Sequence, residues 1–385
     1  MHRVPSALLL VFALACGDDD ARVDGGVDAS PRQDSATDAP FDAGNDASAD
    51  GGADAGADAP IDAGVDAPPM LDCDESTRTR LRVISFNSGT TPIMGDDAHP
   101  DGYTEAMADI SDEHYGDGLA WLPAVDATRL WLAEIAPDII VFQEMFYSEE
   151  CASIPEAAHA GFVCERWSPG DESVIQDVLG AGFQVACQLD KTDKCAAVRT
   201  SVGSFRGCES SLCLDGLDGA RVPDCGGGSR VGRGIIDLSD GGTVTLATMH
   251  GTSGLSAEDQ SCRTQQVEQL FVDLGDGSGE PAANGTRNLV LGDLNLDPHR
   301  SLPFDSSAQH LAEFVGEDLP FSYITETGED APGSYGGAFD IDHVMSGAFI
   351  GRCFHPGLSE GHEARVYEPS YFDHLPVVCD VEACE

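Results

Sequence analysis

Apolar residues in this chain fall into short blocks separated by turn-forming residues from about Leu81 onward. Residues 80–86, 235–238, 243–249, 288–291, 341–345 and 375–381 read as β-strands, because apolar and β-branched side chains dominate each block. Residues 126–135 instead place Leu130, Leu132 and Ile135 at helical spacing, and Pro137 then separates them from the apolar run 139–142. That is a strand, helix, strand unit. A second helix is expected over 263–274, opened by Arg263 with Gln265 and Gln266 as packing or capping residues, just ahead of the strand at 288. The runs starting at Ile139 and Leu289 contain no polar interruption, so both faces of those strands should be buried, and the fold class is α/β. Two stretches, 91–118 and 204–228, are rich in Gly, Asp or Cys and read as insertions on a rim.

The first fifth of the chain breaks this pattern. Arg3, the apolar run 7–15 and the tetrapeptide Ala13-Leu14-Ala15-Cys16 resemble an export signal with a bacterial lipoprotein cleavage box, which makes residues 1–16 a signal peptide and Cys16 the acylated first residue. Cleavage by the ordinary signal peptidase and free secretion is the alternative. The run is too short to span a bilayer, which takes about 20 residues as a helix. Residues 17–72 are dominated by Asp, Ala and Gly, cannot offset their ordering entropy, and read as a disordered acidic tether. They lack the fixed period of a calcium-binding repeat. A folded catalytic domain is therefore expected over 73–385.

Charge and cysteines narrow the setting. A formal charge of −48 repels polyanions unless metal ions or a local basic patch intervene, and the two lysines, Lys191 and Lys194, form no basic stretch that could track a nucleic-acid backbone. The 13 cysteines, less a lipidated Cys16, leave an even number, which suits disulfides in an oxidising compartment. Cys151 with Cys164 and Cys187 with Cys195 are near enough in sequence to staple loops, and Cys73 lies at the domain start as Cys384 lies at its end. No Cys-x-x-Cys pair occurs, which argues against structural zinc.

Polar residues cluster where the apolar blocks end. Asn87 ends the first strand, Gln143 and Glu144 the second, His250 the strand at 243, and Asp293 with Asn295 the strand at 288; Asp342 lies in the next, and Asp373 and His374 precede the last. Carboxylates, amides and imidazoles at successive strand ends converge on one rim of a sheet, and an oxygen-rich set of this kind suits Mg²⁺ or Mn²⁺. Asp340 could take the part of Asp342 if the strand register differed. Arg233, before an apolar strand, could reach a substrate phosphate or could be a solvated arginine at a strand start.

The segments Val83-Ile84-Ser85-Phe86-Asn87, Phe142-Gln143-Glu144, Thr248-Met249-His250, Leu291-Gly292-Asp293-Leu294-Asn295, Ile341-Asp342-His343 and Phe372-Asp373-His374-Leu375-Pro376 together resemble the endonuclease/exonuclease/phosphatase superfamily over about 81–379. The resemblance implies a deoxyribonuclease-I-like four-layer sandwich, two packed β-sheets flanked by helices, with one active site. It implies that Glu144 binds the divalent cation with Asn87 and Asp373 beside it, and that Asp293 and Asn295 orient water and phosphate. It further implies that His374, held by Asp342, is the acid or base, and that His250 contacts a phosphate oxygen or assists the leaving group. Expected substrates are phosphodiesters, either nucleic acid or phospholipid head groups as in sphingomyelinases. The membrane would be reached through the lipid anchor, with no protein partner. A non-catalytic binding module retaining the fold is the alternative; it would be marked by loss of a metal carboxylate or of the strand-end histidine, and Glu144, Asp293, Asp373 and His374 are all present.

Overall fold

The computed structural model describes residues 78–90, 102–356 and 371–384. The signal peptide, Cys16, the acidic tether and Cys73 lie outside the described residues, as does the first part of the insertion at 91–118.

In chain order the elements are β1 (Arg78–Asn87), α1 (Glu105–Ile110), α2 (Leu122–Ile135), β2 (Ile139–Gln143), α3 (Val174–Leu179), β3 (Phe183–Gln188), β4 (Lys191–Arg199), β5 (Gly203–Phe205) and β6 (Leu212–Gly219). There follow β7 (Val231–Leu238), β8 (Thr243–His250), α4 (Ala257–Phe271), β9 (Asn288–Asp293), α5 (Ser306–Leu311), β10 (Ser322–Tyr323), β11 (Asp342–Ser346), β12 (Ile350–Phe354) and β13 (Val377–Cys384). One sheet runs β12-β13-β1-β2-β4-β3, the other β10-β11-β9-β8-β7 with β5 on β7, and β6 pairs with β3 on one side and β7 on the other.

Period-two alternation explains why these sheets stack. Leu81 and Val83 of β1, Ile139 and Val141 of β2, Leu289 and Leu291 of β9, and Val244 and Leu246 of β8 belong to one core cluster between the sheets. Their neighbours Ile84, Phe86, Ile140 and Phe142 face a second cluster beneath α2 and α3, and Ala247, Met249 and Val290 face a third beneath α4 and α5. The order is therefore helices, sheet, sheet, helices, the expected four-layer sandwich.

Element ends differ from the sequence reading for local reasons. Helix α2 begins one turn before residue 126 because Pro123 occupies its first turn, where a missing N–H costs nothing. Helix α4 begins at 257 rather than 263, on a capping box in which Ser256 and Asp259 satisfy each other's backbone N–H groups. Strand β7 starts at Val231, so Arg233 lies inside a strand and not before it. The stretch 204–228 is built into the sheets as the end of β5 and all of β6, and is stapled by Cys208–Cys213 and Cys225–Cys262. The short-range pairs Cys151–Cys164 and Cys187–Cys195 are present, Cys353–Cys379 joins β12 to β13, and Cys384 is disulfide-bonded as well.

Arg263 is fully buried in α4 and does more than cap it. Its guanidinium donates to Thr252 O and Gly254 O, both at 2.7 Å, to Ser307 Oγ at 3.1 Å and to Asp305 Oδ2 at 2.8 Å, while Asp305 caps the N-terminus of α5. One side chain thus ties α4, α5 and the loop after β8 together. Arg263→Met should lower unfolding free energy by about 3–5 kcal/mol, since it leaves the buried Asp305 carboxylate without its counter-charge. Leu130→Ala, at a position 73% exposed, should change it by less than about 0.5 kcal/mol. Urea denaturation of the two variants checks the contrast, and equal midpoints would show that the clamp contributes nothing.

Candidate active site

Alternation carries past the apolar part of each strand and aims the next polar residue into the gap between the sheets. Asn87 shares the face of Val83, His250 that of Leu246, Asp293 that of Leu291, and Asp342 that of Val344. Strand direction gathers them on one edge: β1 and β2 run parallel, as do β8 and β9, while β11 and β13 run antiparallel to their neighbours and begin where those end. Asp342 pairs directly with Asp293, and His250 with Asp293 on the other side.

The hub is the Asn87 amide. Asn87 Nδ2 lies 3.0 Å from Glu144 Oε1, 3.1 Å from Asp293 Oδ2 and 3.4 Å from His374 Nε2, while its oxygen accepts from Gly89 N. Glu144 reaches it through a left-handed backbone conformation, φ 58°, uncommon outside glycine, and its carboxylate folds back over Gly89, where a Cβ would overlap it. Asn295, also left-handed at φ 51°, donates its backbone N–H to Asp293 Oδ1 at 2.7 Å and its amide to Gly251 O at 3.0 Å.

His374 Nδ1 lies 2.7 Å from Asp342 Oδ2, which fixes the ring and leaves Nε2 facing Asp293 at 3.8 Å and Asp373 at 4.0 Å. Asp342 therefore holds the histidine, and Asp340 does not take its place: Asp340 is buried nearby with Oδ2 lacking a hydrogen-bond partner. The Tyr335 ring packs on the imidazole at 4.8 Å. On the opposite side His250 Nε2 is 3.5 Å from Glu144 Oε1 and 3.7 Å from Asp293 Oδ2, and its Nδ1 has no hydrogen-bond partner.

The structure thus brings together Asn87, Glu144, His250, Asp293, Asn295, Asp342, Asp373 and His374. It holds Arg233 apart from these contacts, in ion pairs with Asp218 at 3.1 Å and Asp276 at 2.7 Å. Residues that the sequence reading passed over include Tyr335 and Arg230, whose carbonyl accepts from His250 N at 2.9 Å. Neither lies in a run that distinguishes it; only β pairing brings them in.

Electrostatics show what the cluster suits. Burial, opposed by His374 and the Asn87 hydrogen bond and reinforced by Asp293, pushes the Glu144 carboxyl up to about 7, although 27% of its side chain still meets solvent. Burial and the adjacent Asp342 raise Asp293 to about 7, and burial with Glu144 raises Asp373 to about 7. Burial alone would depress His374, but Asp342 and Asp373 hold it well above an ordinary imidazole. His250 is driven well below by burial and then by Lys194 and Arg230. Three carboxyls reluctant to ionise, with oxygen donors at Glu144, Asp293 and Asp373, fit a hard divalent cation. Asp293, Asp342 and His374 also approach closely enough to ligate. Because one Asp342 oxygen already takes the His374 hydrogen bond, Glu144 with Asp293 is the better-suited pair.

Comparisons with known proteins give fold likeness only. No family model and no curated protein matches. Among solved structures, the human Nocturnin catalytic domain with bound sulfate is similar at 13% identity and a TM-score of 0.45, over 78% of this chain and 94% of that one. An endonuclease/exonuclease/phosphatase from Beutenbergia cavernae is similar at 16% identity and a TM-score of 0.46, over 79% of this chain and 72% of that one. ANGEL2, a 2′,3′-cyclic phosphatase, gives 10% and 0.46, over 80% and 96%.

Divalent binding must displace protons from Glu144, Asp293 and Asp373, so apparent affinity for Mg²⁺ or Mn²⁺ should tighten as pH rises through about 7. Calorimetric titration at pH 6 and pH 8 should show a gain of about tenfold or more that shrinks in Glu144→Gln. An affinity independent of pH would remove the cluster as the cation site.

Proposed function

We propose that this chain is a divalent-metal-dependent phosphodiesterase. The observation that carries the reading is the Asn87 amide, which joins the carboxylates of Glu144 and Asp293 to a histidine oriented by Asp342. When bound, Mg²⁺ or Mn²⁺ would be held by Glu144 with Asp293 and Asp373, and by Asn87 only with its amide turned to present the oxygen, and would neutralise charge building on the phosphoryl oxygens.

The chain's own groups divide the remaining work. Asp342 keeps the Nδ1 proton of His374 in place, so that Nε2 presents a second proton to a phosphoryl oxygen. Asp293, whose other oxygen is fixed by the Asn295 backbone, is placed to accept a proton from the attacking water. The water oxygen bonds to phosphorus, the bond to the leaving oxygen breaks in line, and the Nε2 proton of His374 passes to that oxygen, while the neutral His250 contacts a phosphoryl oxygen. Oxygen donors and two differently biased imidazoles suit this reaction better than a purely structural role.

On the same reading the enzyme works outside the cytoplasm, tethered through Cys16 or free. The support is the leader-like N-terminus and the set of disulfides, which persist where conditions oxidise thiols.

Hydrolysis of bis(p-nitrophenyl) phosphate by the full chain with Mg²⁺ or Mn²⁺ tests the proposal. Glu144→Ala and His374→Ala should each lower kcat/KM by about 10²–10⁴-fold while circular dichroism stays unchanged. Activity that survives both substitutions or chelation would refute it, and no cleavage by folded, metal-loaded protein would favour the non-catalytic binding module.

A further inference from the structure

The loop ahead of β11 folds back on the segment that carries His374. Gly336 and Gly337, left-handed at φ 54° and 67°, turn the chain, and Tyr335 N donates to Phe339 O at 2.9 Å while Phe339 N donates to Tyr335 O at 3.2 Å. On its other side the Tyr335 leg meets the residues before β13. Gly336 N donates to Asp373 O at 3.0 Å and Leu375 N to Ser334 O at 2.7 Å, so Tyr335 lies directly opposite His374. Directly opposed residues of antiparallel strands project their side chains to the same face. Phe339, Tyr335 and His374 are therefore consecutive members of one row, in keeping with the Tyr335 ring that packs on the imidazole at 4.8 Å.

This row is anchored at its inner end and open at its outer end. Ser334, fully buried, accepts at Oγ from Ile341 N at 3.0 Å and from Asp342 N at 3.1 Å, which fastens the hairpin to the residue that orients His374. Exposure rises outward, from 5% at His374 to 43% at Phe339. The Phe339 side chain belongs to no core cluster, and among the described residues no ring packs on it. Two strand spacings put Phe339 about 10 Å from His374 along the row, within reach of a ring carried one sugar away from the reacting phosphate.

We propose that Phe339, continued inward by Tyr335, is a stacking surface for a nucleobase on the leaving half of the substrate, and so a specificity-determining residue. The proposal rests on the phosphodiesterase reading and names its substrate class. In that reading the leaving oxygen takes its proton from His374 Nε2, so the group bonded to that oxygen is the one nearest the row. A chain of net charge −48 gains little by tracking phosphates, whereas stacking of an uncharged ring on an aromatic face needs no basic track. Phospholipid head groups such as that of sphingomyelin carry no planar ring to fill such a face.

The test gives the full chain, with Mn²⁺, TpT and the two dinucleotides in which one thymidine is replaced by an abasic tetrahydrofuran unit; chromatography of the products identifies the leaving half. Loss of the leaving-side base should lower kcat/KM by about tenfold or more, the range of one stacked base. Phe339→Ala should remove most of that difference and Phe339→Trp should keep it, with Phe339→Leu as a second variant should Phe339→Ala misfold. No difference in wild type, a difference of equal size in wild type and the folded Ala or Leu variant, or one that follows the base on the other half overturns the proposal. If wild type cleaves none of the three but does cleave bis(p-nitrophenyl) phosphate, the stacking surface falls and the phosphodiesterase reading stands. If it cleaves neither, that reading fails, and calorimetric titration with the same three dinucleotides decides the surface alone: a preference for TpT over an abasic form that Phe339→Ala abolishes upholds it, and equal binding or none overturns it.

Discussion

The side chains of a β-strand alternate between two faces, and in the central strands of this protein both faces are dry. Leu81 and Val83 fill the space between the sheets while Ile84 and Phe86 fill the space under the helices, so a slip of one residue would put Asn87 among the aromatic rings of the outer core. Register is fixed by burial along the whole strand. The polar rim inherits that fixity without having to supply it, and the four strand-end residues Asn87, His250, Asp293 and Asp342 can be mutually repulsive or poorly satisfied and still stay in place.

What the rim gains from that rigidity is an electrostatic imbalance. Glu144 and Asn295 sit in left-handed conformations that a free peptide would avoid, and Glu144, Asp293 and Asp373 keep carboxyls that burial makes reluctant to ionise. Gly89 lets the Glu144 carboxylate fold inward, and the Arg263 clamp holds the loop from Thr252 to Gly254, adjacent to Gly251, whose carbonyl receives Asn295. Backbone strain and unbalanced charge converge where phosphate chemistry would need them, while the surrounding core stays regular.

The strands that carry the rim were legible because their apolar runs are pure: residues 139–142 and 289–291 announce β2 and β9, and the turn residues after them announce Glu144 and Asp293. Strand β4 was not, because it opens with Lys-Thr-Asp-Lys and only its second half is apolar. The start of α4 was missed since its capping box lies a turn and a half ahead of Cys262 and Val267, its first buried apolar residues. Arg233 looked available because its partners Asp218 and Asp276 are far from it in sequence, and Arg230 went unnoticed three positions earlier. The sequence pattern favours Asp342 over Asp340 as the partner of His374, and the structure places Asp342 Oδ2 2.7 Å from His374 Nδ1.

Strand β6 belongs to both sheets. It runs parallel to β3 through Leu212 and Cys213, its register shifts before Leu217, and it then pairs with β7 through Asp218 and Gly219. The two sheets are thus the covers of a book bound along one spine, and the Asn87 to Asp293 contact bridges the pages away from it. A ligand entering the rim meets a gap whose width is already set by the backbone, so its binding free energy is not consumed in drawing the covers together.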